Sequence, residues 1–505
     1  MSLWRTKSIA QCLRDTEAPE HALRKELGPL DLTVFGIGVV VGTGIFVLTG
    51  VAAATKAGPA IAISFVVSGI ACALAALCYA EFASAVPVAG SAYTFAYATL
   101  GEFLAWIIGW DLILELSVGA AAVSIGWSQY IQEILKALGI TLPAALTNAP
   151  PVGILNLPAA LIALFLTLVL TRGIRISSSL NVIVTTIKLA VVVFFIVVGA
   201  FFIKSINWSP FIPPAQPITS GGGTSLETPL VQLLFGLKQS SFGLTGIVSG
   251  AATVFFAYIG FDVVATAAEE TRHPQRDLPI GIICSLTVCT ILYILVSLVM
   301  TGIVPYPSLN TAAPMATAFV AIGLSWAAGL VSVGAVCGLT AVILVLLLGQ
   351  SRVFFAMSRD HLLPSWFSRV HPRFGTPYRI TLCIGIVVAI VAAVTPINAV
   401  AELVNIGTLL AFVLVSAAVV ILRRTRPDLP RAFRTPLVPF VPILAIIVCG
   451  YLMISLPLIT WLRFVIWLIL GIVIYALYGM RHSRLAGELP KPISTATAVG
   501  DSIDT

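Results

Sequence analysis

Long apolar runs recur along the chain, separated by short breaks rich in Gly, Pro or basic residues. A helix that crosses a bilayer needs about 20 mostly apolar residues. Twelve runs qualify, near 30–53, 60–84, 100–135, 156–171, 180–203, 246–270, 279–303, 325–357, 380–396, 400–422, 437–457 and 461–480. The fourth and ninth are short and are required by connectivity, since the runs on either side of each must be joined across the membrane. The pattern predicts an all-α integral membrane protein with twelve transmembrane helices.

The basic residues give an independent check, because cytoplasmic loops carry an excess of Lys and Arg. With the N-terminus inside, 22 of the 28 Lys and Arg fall on the cytoplasmic side. Lys56, Lys136, Lys204, Lys238 and Arg463 fall outside, and Lys188 lies within a run. This asymmetry predicts both termini in the cytoplasm and a multi-pass protein of the bacterial cell membrane. The membrane domain is expected over 28–480, between cytoplasmic tails at 1–27 and 481–505. The longest external loop, from Asn207 to Thr245, holds Gly-Gly-Gly at 221–223 and a short amphipathic segment near Val231 to Leu237.

Composition removes other classes. The 505 residues are 59% hydrophobic and 10% charged, whereas soluble domains carry roughly 25% charged residues. A soluble enzyme and a nucleic-acid binder are excluded, and the net charge of +7 reads as loops facing anionic lipid. The stretch from Met1 to Leu27 is polar and lacks an apolar core, so no cleaved signal peptide is expected there. The eight cysteines show no metal-ligand spacing, and no cofactor or metal is expected.

Two runs are interrupted at their middles. The first contains Gly42-Thr43-Gly44 and the sixth contains Tyr258-Ile259-Gly260. Glycine costs a helix about 1 kcal/mol against alanine, and discontinuous helices in corresponding positions of two repeats mark the binding site of many secondary transporters. Runs one and six are the pair that a five-plus-five inverted repeat would relate, with repeat one at about 28–204, repeat two at about 246–424 and two extra helices at 437–480. Free N–H groups near Thr43 and Gly44 suit a carboxylate. Carbonyls near Val40, Phe256, Ala257 and Ile259 suit an ammonium, and a ligand with both groups on one carbon is an α-amino acid. Gly42 shapes the same break, Phe261 forms an aromatic wall beside it, and Leu339 and Thr340 line the side-chain end without supplying charge. Glycines of this kind also serve close helix packing, and for Gly36 and Gly38 that reading is at least as good.

Gly42-Thr43-Gly44-Ile45-Phe46 and Phe256-Ala257-Tyr258-Ile259-Gly260-Phe261-Asp262 resemble the amino acid–polyamine–organocation superfamily of permeases. Gly109-Trp110-Asp111-Leu112-Ile113-Leu114-Glu115, Gly126-Trp127-Ser128, Ile187-Lys188-Leu189 and the stretch from Gln350 to Asp360 resemble its cationic amino acid transporter branch and bacterial relatives. The resemblance covers roughly 25–480 and implies the leucine-transporter-like five-plus-five fold. His361 stands where the branch usually has glycine before Leu-Leu-Pro, which puts the turn of that cytoplasmic loop in question.

Ionisable residues within a span are functional candidates by default. The five histidines all fall on the cytoplasmic side, leaving Asp111, Glu115, Lys188 and Asp262. Lys188 lies eight residues inside its run, about 12 Å deep at 1.5 Å per residue, and at that depth it can exchange a proton or snorkel to the surface. The resemblance implies that its ammonium bridges carbonyls at the helix-one break, where sodium-coupled relatives bind a cation. The coupling ion is then H+ and not Na+. Asp111 and Glu115, at i and i+4, share a helix face; one of them, Glu115 first, is a candidate proton-coupling partner of Lys188, and the alternative for both is a hydrogen-bonded acid of helix packing. Asp262 fits an N-cap after the second break. The loop from Met357 to Arg359, with Arg352, reads as positive-inside anchoring or as a cytoplasmic gate. Together these readings give a proton-coupled importer of L-amino acids, with an uncoupled facilitator or exchanger as alternative and a channel or membrane enzyme behind it. Partners are the amino acid and the bilayer, with no nucleic acid; a small membrane subunit, and the choice between small neutral and cationic substrates, stay open.

Overall fold

A computed structural model describes residues 27–85, 91–173, 178–217, 226–236, 240–364 and most of 366–483. All but a few residues of the two tails, Gly-Gly-Gly at 221–223 and Lys238 lie outside the described residues. The described helices open with α1 (Pro29–Val40), α2 (Ile61–Ala85), α3 (Ser91–Thr99), α4 (Glu102–Ala137), α5 (Leu157–Thr171) and α6 (Ser178–Ala200). A short helix α7 (Leu230–Phe235) falls where an amphipathic segment is expected in the external loop. There follow α8 (Gly243–Val254), α9 (Pro274–Ile303), α10 (Pro314–Ala321), α11 (Ser325–Arg359), α12 (Tyr378–Val394), α13 (Ile397–Thr425), α14 (Phe440–Ile454) and α15 (Leu458–Ile474). Among the described residues the only sheet is the two-residue pair β1 (Gln216–Pro217) and β2 (Ser240–Ser241), antiparallel.

Each of the twelve apolar runs meets helical structure. Eight helical segments are long and apolar enough to cross a membrane, and four shorter ones, α1, α5, α12 and α14, are apolar. The helix ends follow local chemistry: α1 opens with Pro29 at its first position, and the Gly28 N–H donates to Asp31 Oδ2 at 2.9 Å. Met357 to Arg359 is not a loop but the last turn of α11. His361 takes φ +59°, a left-handed conformation that glycine adopts without strain, so the departure from the branch pattern falls at a position whose backbone asks for glycine.

The core runs between α4, α11 and α13 on one side and α1, α2 and α9 on the other. The opposite surface of α15 exposes Leu462, Val465, Ile466, Ile469, Leu470 and Val473. An exposed apolar stripe of that extent is untenable in water and belongs against hydrocarbon. α15 is clasped to α4 by two tryptophans: Trp110 Nε1 donates to Trp467 O at 2.9 Å, and Trp467 Nε1 donates to Trp110 O at 3.2 Å.

Candidate functional site

Both interrupted runs break at their glycines. α1 stops at Val40, Val41 turns extended with ψ 91°, and the chain resumes at Gly44–Leu48 as a π-helical segment. The first amides of a helix have no preceding turn to bond to, so those around Thr43 and Gly44 form an anion-favouring end. In the second run α8 gives way at Val254 to a 3₁₀ turn, Phe255–Tyr258, then to Ile259 in extended conformation and Gly260 at φ +111°. The continuation, Asp262–Glu270, is 3₁₀ throughout. Phe261 occupies the N-cap position and no side chain caps this segment, so Asp262 is its first residue rather than the expected N-cap.

The two breaks touch. A Cβ at Gly44 would run into the backbone of Ala257, and one at Gly260 would meet Val39 Cγ1 at 2.6 Å. Each glycine thus admits the other broken helix. A third glycine, Gly126 on α4, leaves room for Thr43, since a Cβ there would stand 2.6 Å from Thr43 Oγ1. That hydroxyl oxygen is buried and has no hydrogen-bond partner among the described residues.

Lys188, on α6, is 0% exposed. Its Nζ donates to Gly38 O and to Val41 O, the latter at 3.2 Å. Its stem crosses α11 at Gly338, where a Cβ would approach Lys188 Cδ to 3.0 Å. This placement excludes snorkelling: the amine is committed to the C-terminal carbonyls of α1, which carry the negative end of the helix dipole.

Of the four carbonyls expected to face an ammonium, those of Val40, Ala257 and Phe256 lie within hydrogen-bond distance of a donor of the chain itself. Tyr293, on α9, has its hydroxyl 2.8 Å from both Val40 O and Ala257 O. A hydroxyl carries one proton, so only one of these carbonyls receives it at a time, and the other is available to a donor. Phe256 O accepts the Ile259 N–H at 3.3 Å. The sequence reading missed Tyr293; its only signal was a tyrosine inside an apolar run. Phe261 is buried behind the break, its ring against Tyr79 (5.9 Å) and Phe412 (5.1 Å).

On α11, Gly338 meets Lys188 and Val342 lies beside Gly42. Thr340 sits about 200° around the helix from both. Its hydroxyl donates to Val336 O at 2.7 Å and accepts from Trp127 Nε1 at 3.0 Å, while Leu339 is fully buried. Glu115 and Asp111 are buried on α4 in the same neighbourhood as Tyr79 and Asp262, and neither the Tyr79 hydroxyl nor the Glu115 and Asp111 carboxylates have a hydrogen-bond partner among the described residues. Neither carboxylate oxygen of Glu115 bonds the Lys188 amine, which is spent on Gly38 O and Val41 O. The structure therefore does not bring Glu115 and Lys188 together as a pair.

At the end of the bundle where α1 begins, Leu27 pairs with the end of the sixth run, its N–H donating to Glu270 O at 3.0 Å and its carbonyl accepting from the Arg272 N–H at 2.9 Å. Arg352 Nη2 stands 3.1 Å from Glu270 Oε1. This pair ties α11 to the sixth run where α1 begins.

Comparison with known proteins bears on this arrangement. Residues 27–483 match the family model described as amino acid permease. The chain is 49% identical to the branched-chain amino acid permease of Bacillus subtilis (strain 168), over 96% of this chain and 99% of that protein. It is 46% identical to the methylthioribose transporter of the same organism, again over 96% and 99%. It is 33% identical to the vacuolar cationic amino acid transporter 4 of Arabidopsis thaliana, over 94% and 95%.

Proposed function

The chain belongs to the amino acid permease family, a family of transporters and not of enzymes, and we propose that it imports L-amino acids with neutral, apolar side chains by proton symport. Its twelve helices then cross the cell membrane with both termini in the cytoplasm, five related to the next five by inverted symmetry. The substrate carboxylate binds the free amides near Thr43 and Gly44, and its ammonium donates to whichever of Val40 O and Ala257 O the Tyr293 proton leaves open.

The similar proteins carry names for a branched-chain amino acid, a thiosugar and cationic amino acids, so likeness alone leaves the substrate undecided. The surroundings of the breaks favour the apolar amino acid. Val39, Val342 and Ala257 pack against the glycines of the breaks, and Phe256 belongs to the second break itself, whereas Asp111 faces Gly407 on α13 rather than either break. A thiosugar offers neither the carboxylate nor the ammonium that the two breaks would bind.

The observation that carries the coupling is the Lys188 ammonium on the last carbonyls of α1. Charge-assisted hydrogen bonds are roughly twice as strong as neutral ones, so loss of its proton loosens α1 from α6 and lets the cytoplasmic half-helix move. Purified protein in liposomes tests the reading: leucine or valine uptake should be independent of sodium, driven by an inward proton gradient and abolished when that gradient is dissipated. Counterflow that persists while accumulation ignores the gradient would make the protein an exchanger.

A further inference from the structure

The first break has a donor committed to it by the fifth helix of its repeat, and the same position in the second repeat is occupied by α13. From it Asn405, 0% exposed, donates through Nδ2 to Ala252 O at 2.7 Å and Thr253 O at 3.3 Å. These two carbonyls belong to the last turn of α8, where the helix tightens into the 3₁₀ turn Phe255–Tyr258. The amide's orientation is fixed by its surroundings: its two N–H groups match the two carbonyls, and exchanging Oδ1 with Nδ2 would set oxygen against oxygen. Asn405 Oδ1 is left buried without a partner. A side chain whose acceptor goes unused is retained for its donors.

We propose that Asn405 is a positioning residue for transport, the neutral counterpart of Lys188. It holds the external half of the sixth helix, α8, through bonds that no pH change can release, while Lys188 holds the cytoplasmic half of the first helix through a proton that can leave. The two repeats thereby differ in one respect that gives transport a direction of control: cytoplasmic release responds to protonation and the external half-helix does not. The titratable groups that reach α13 near this point are Asp111, which faces Gly407, and Tyr79, packed on Phe412, with Glu115 and Asp262 beside Tyr79. One turn before it, Glu402 accepts from Thr460 Oγ1. None of them receives a bond from the amide.

This inference rests on the transporter reading, and amino acid counterflow in liposomes separates the two. A parent chain without counterflow overturns the transporter reading itself. Given counterflow by the parent, Asn405→Leu should slow it by about tenfold, the effect expected for losing a pair of neutral hydrogen bonds, and should leave the pH dependence of driven uptake as in the parent. Asn405→Asp provides the internal control, because a carboxyl group donates only when protonated. Its counterflow should be as slow as that of the leucine variant at pH 8 and recover several-fold towards pH 5, measured on one folded sample relative to parent and leucine variant at each pH, so that titration of the neighbouring acids cancels. Counterflow by Asn405→Leu at the parent's rate, or an aspartate variant that shows no acid recovery, overturns the assignment.

Discussion

Replacing Lys188 by methionine keeps most of the stem that lies on Gly338 and removes the amine. Gly38 O and Val41 O then lose their donor at a position sealed from bulk water. An unpaired buried polar group costs about 1–3 kcal/mol, so two of them weaken α1 docking by about 2–6 kcal/mol before water enters to replace the amine. The variant is expected to fold, because the rest of the α1 interface with α9 and α11 is untouched, and to melt at lower temperature. The functional effect is sharper. With one proton carried per substrate, a pH gradient of one unit supplies about 1.4 kcal/mol, enough to hold about tenfold accumulation at zero membrane potential. Methionine carries no proton, so the variant should equilibrate substrate to a ratio of about one and still catalyse counterflow, since the carboxylate and ammonium contacts belong to the two breaks. Radiolabelled leucine in liposomes, with an imposed inside-alkaline gradient and with potassium and valinomycin clamping the potential, reads both quantities. Accumulation by the methionine variant at the parent's level would refute the role of Lys188 and direct attention to the acids around Tyr79.

Gly44→Ala should abolish transport and lower stability by about 1–3 kcal/mol, because the added methyl meets Ala257 backbone that cannot turn aside; Thr43→Ser, which keeps the hydroxyl, should transport near the parent's rate, and the reverse ranking would contradict the packing of the breaks. Carboxylic acids that lack the α-amine should compete for uptake at least tenfold less well than the matching amino acid, the worth of one hydrogen bond to a charged group; equal competition would remove the ammonium from the site. Arg352→Gln breaks a pair whose side chains are 39% and 33% exposed, so stability should change by at most about 1 kcal/mol. Counterflow should then change by up to about fivefold if this pair holds the cytoplasmic end closed, and an unchanged rate would reduce it to anchoring.

The helices were legible because bilayer thickness imposes a length and the basic residues impose a side; these are constraints on composition, which a sequence displays directly. The breaks were legible for a different reason. Gly42, Gly44 and Gly260 stand where an uninterrupted apolar helix has no use for glycine, and their cost announces a purpose. What remained hidden were partners. Tyr293 and Asn405 are single polar residues in apolar runs, and each bonds backbone carbonyls of a remote segment, which leaves no periodicity to read. The spacing of Asp111 and Glu115 fixed the face they share but not what lies opposite it, and the structure puts Tyr79 and Asp262 there rather than Lys188. The 3₁₀ character of Asp262–Glu270 was equally invisible, since nothing in its composition separates a tightened helix from an α-helix.

The contacts between the breaks explain why two helices must act together. Gly44 lies beyond the first break and abuts Ala257, whereas Val39 lies before it and abuts Gly260. On the proposed mechanism, in which α1 swings away when Lys188 lets go, the contact it gives up is Val39 with Gly260, and the Tyr293 hydroxyl loses its choice between Val40 O and Ala257 O. The contact of Gly44 with Ala257 lies on the other side of the hinge and stays closed. Motion of the cytoplasmic half-helix can therefore open a path to the cytoplasm without parting the external halves, provided α8 is held. On the proposal above, Asn405 supplies that hold from α13 through its bonds to Ala252 O and Thr253 O. On this proposal, one half-helix is released when Lys188 loses its proton and the other is fixed by an amide, which would expose the site to one side at a time, the physical requirement of alternating access.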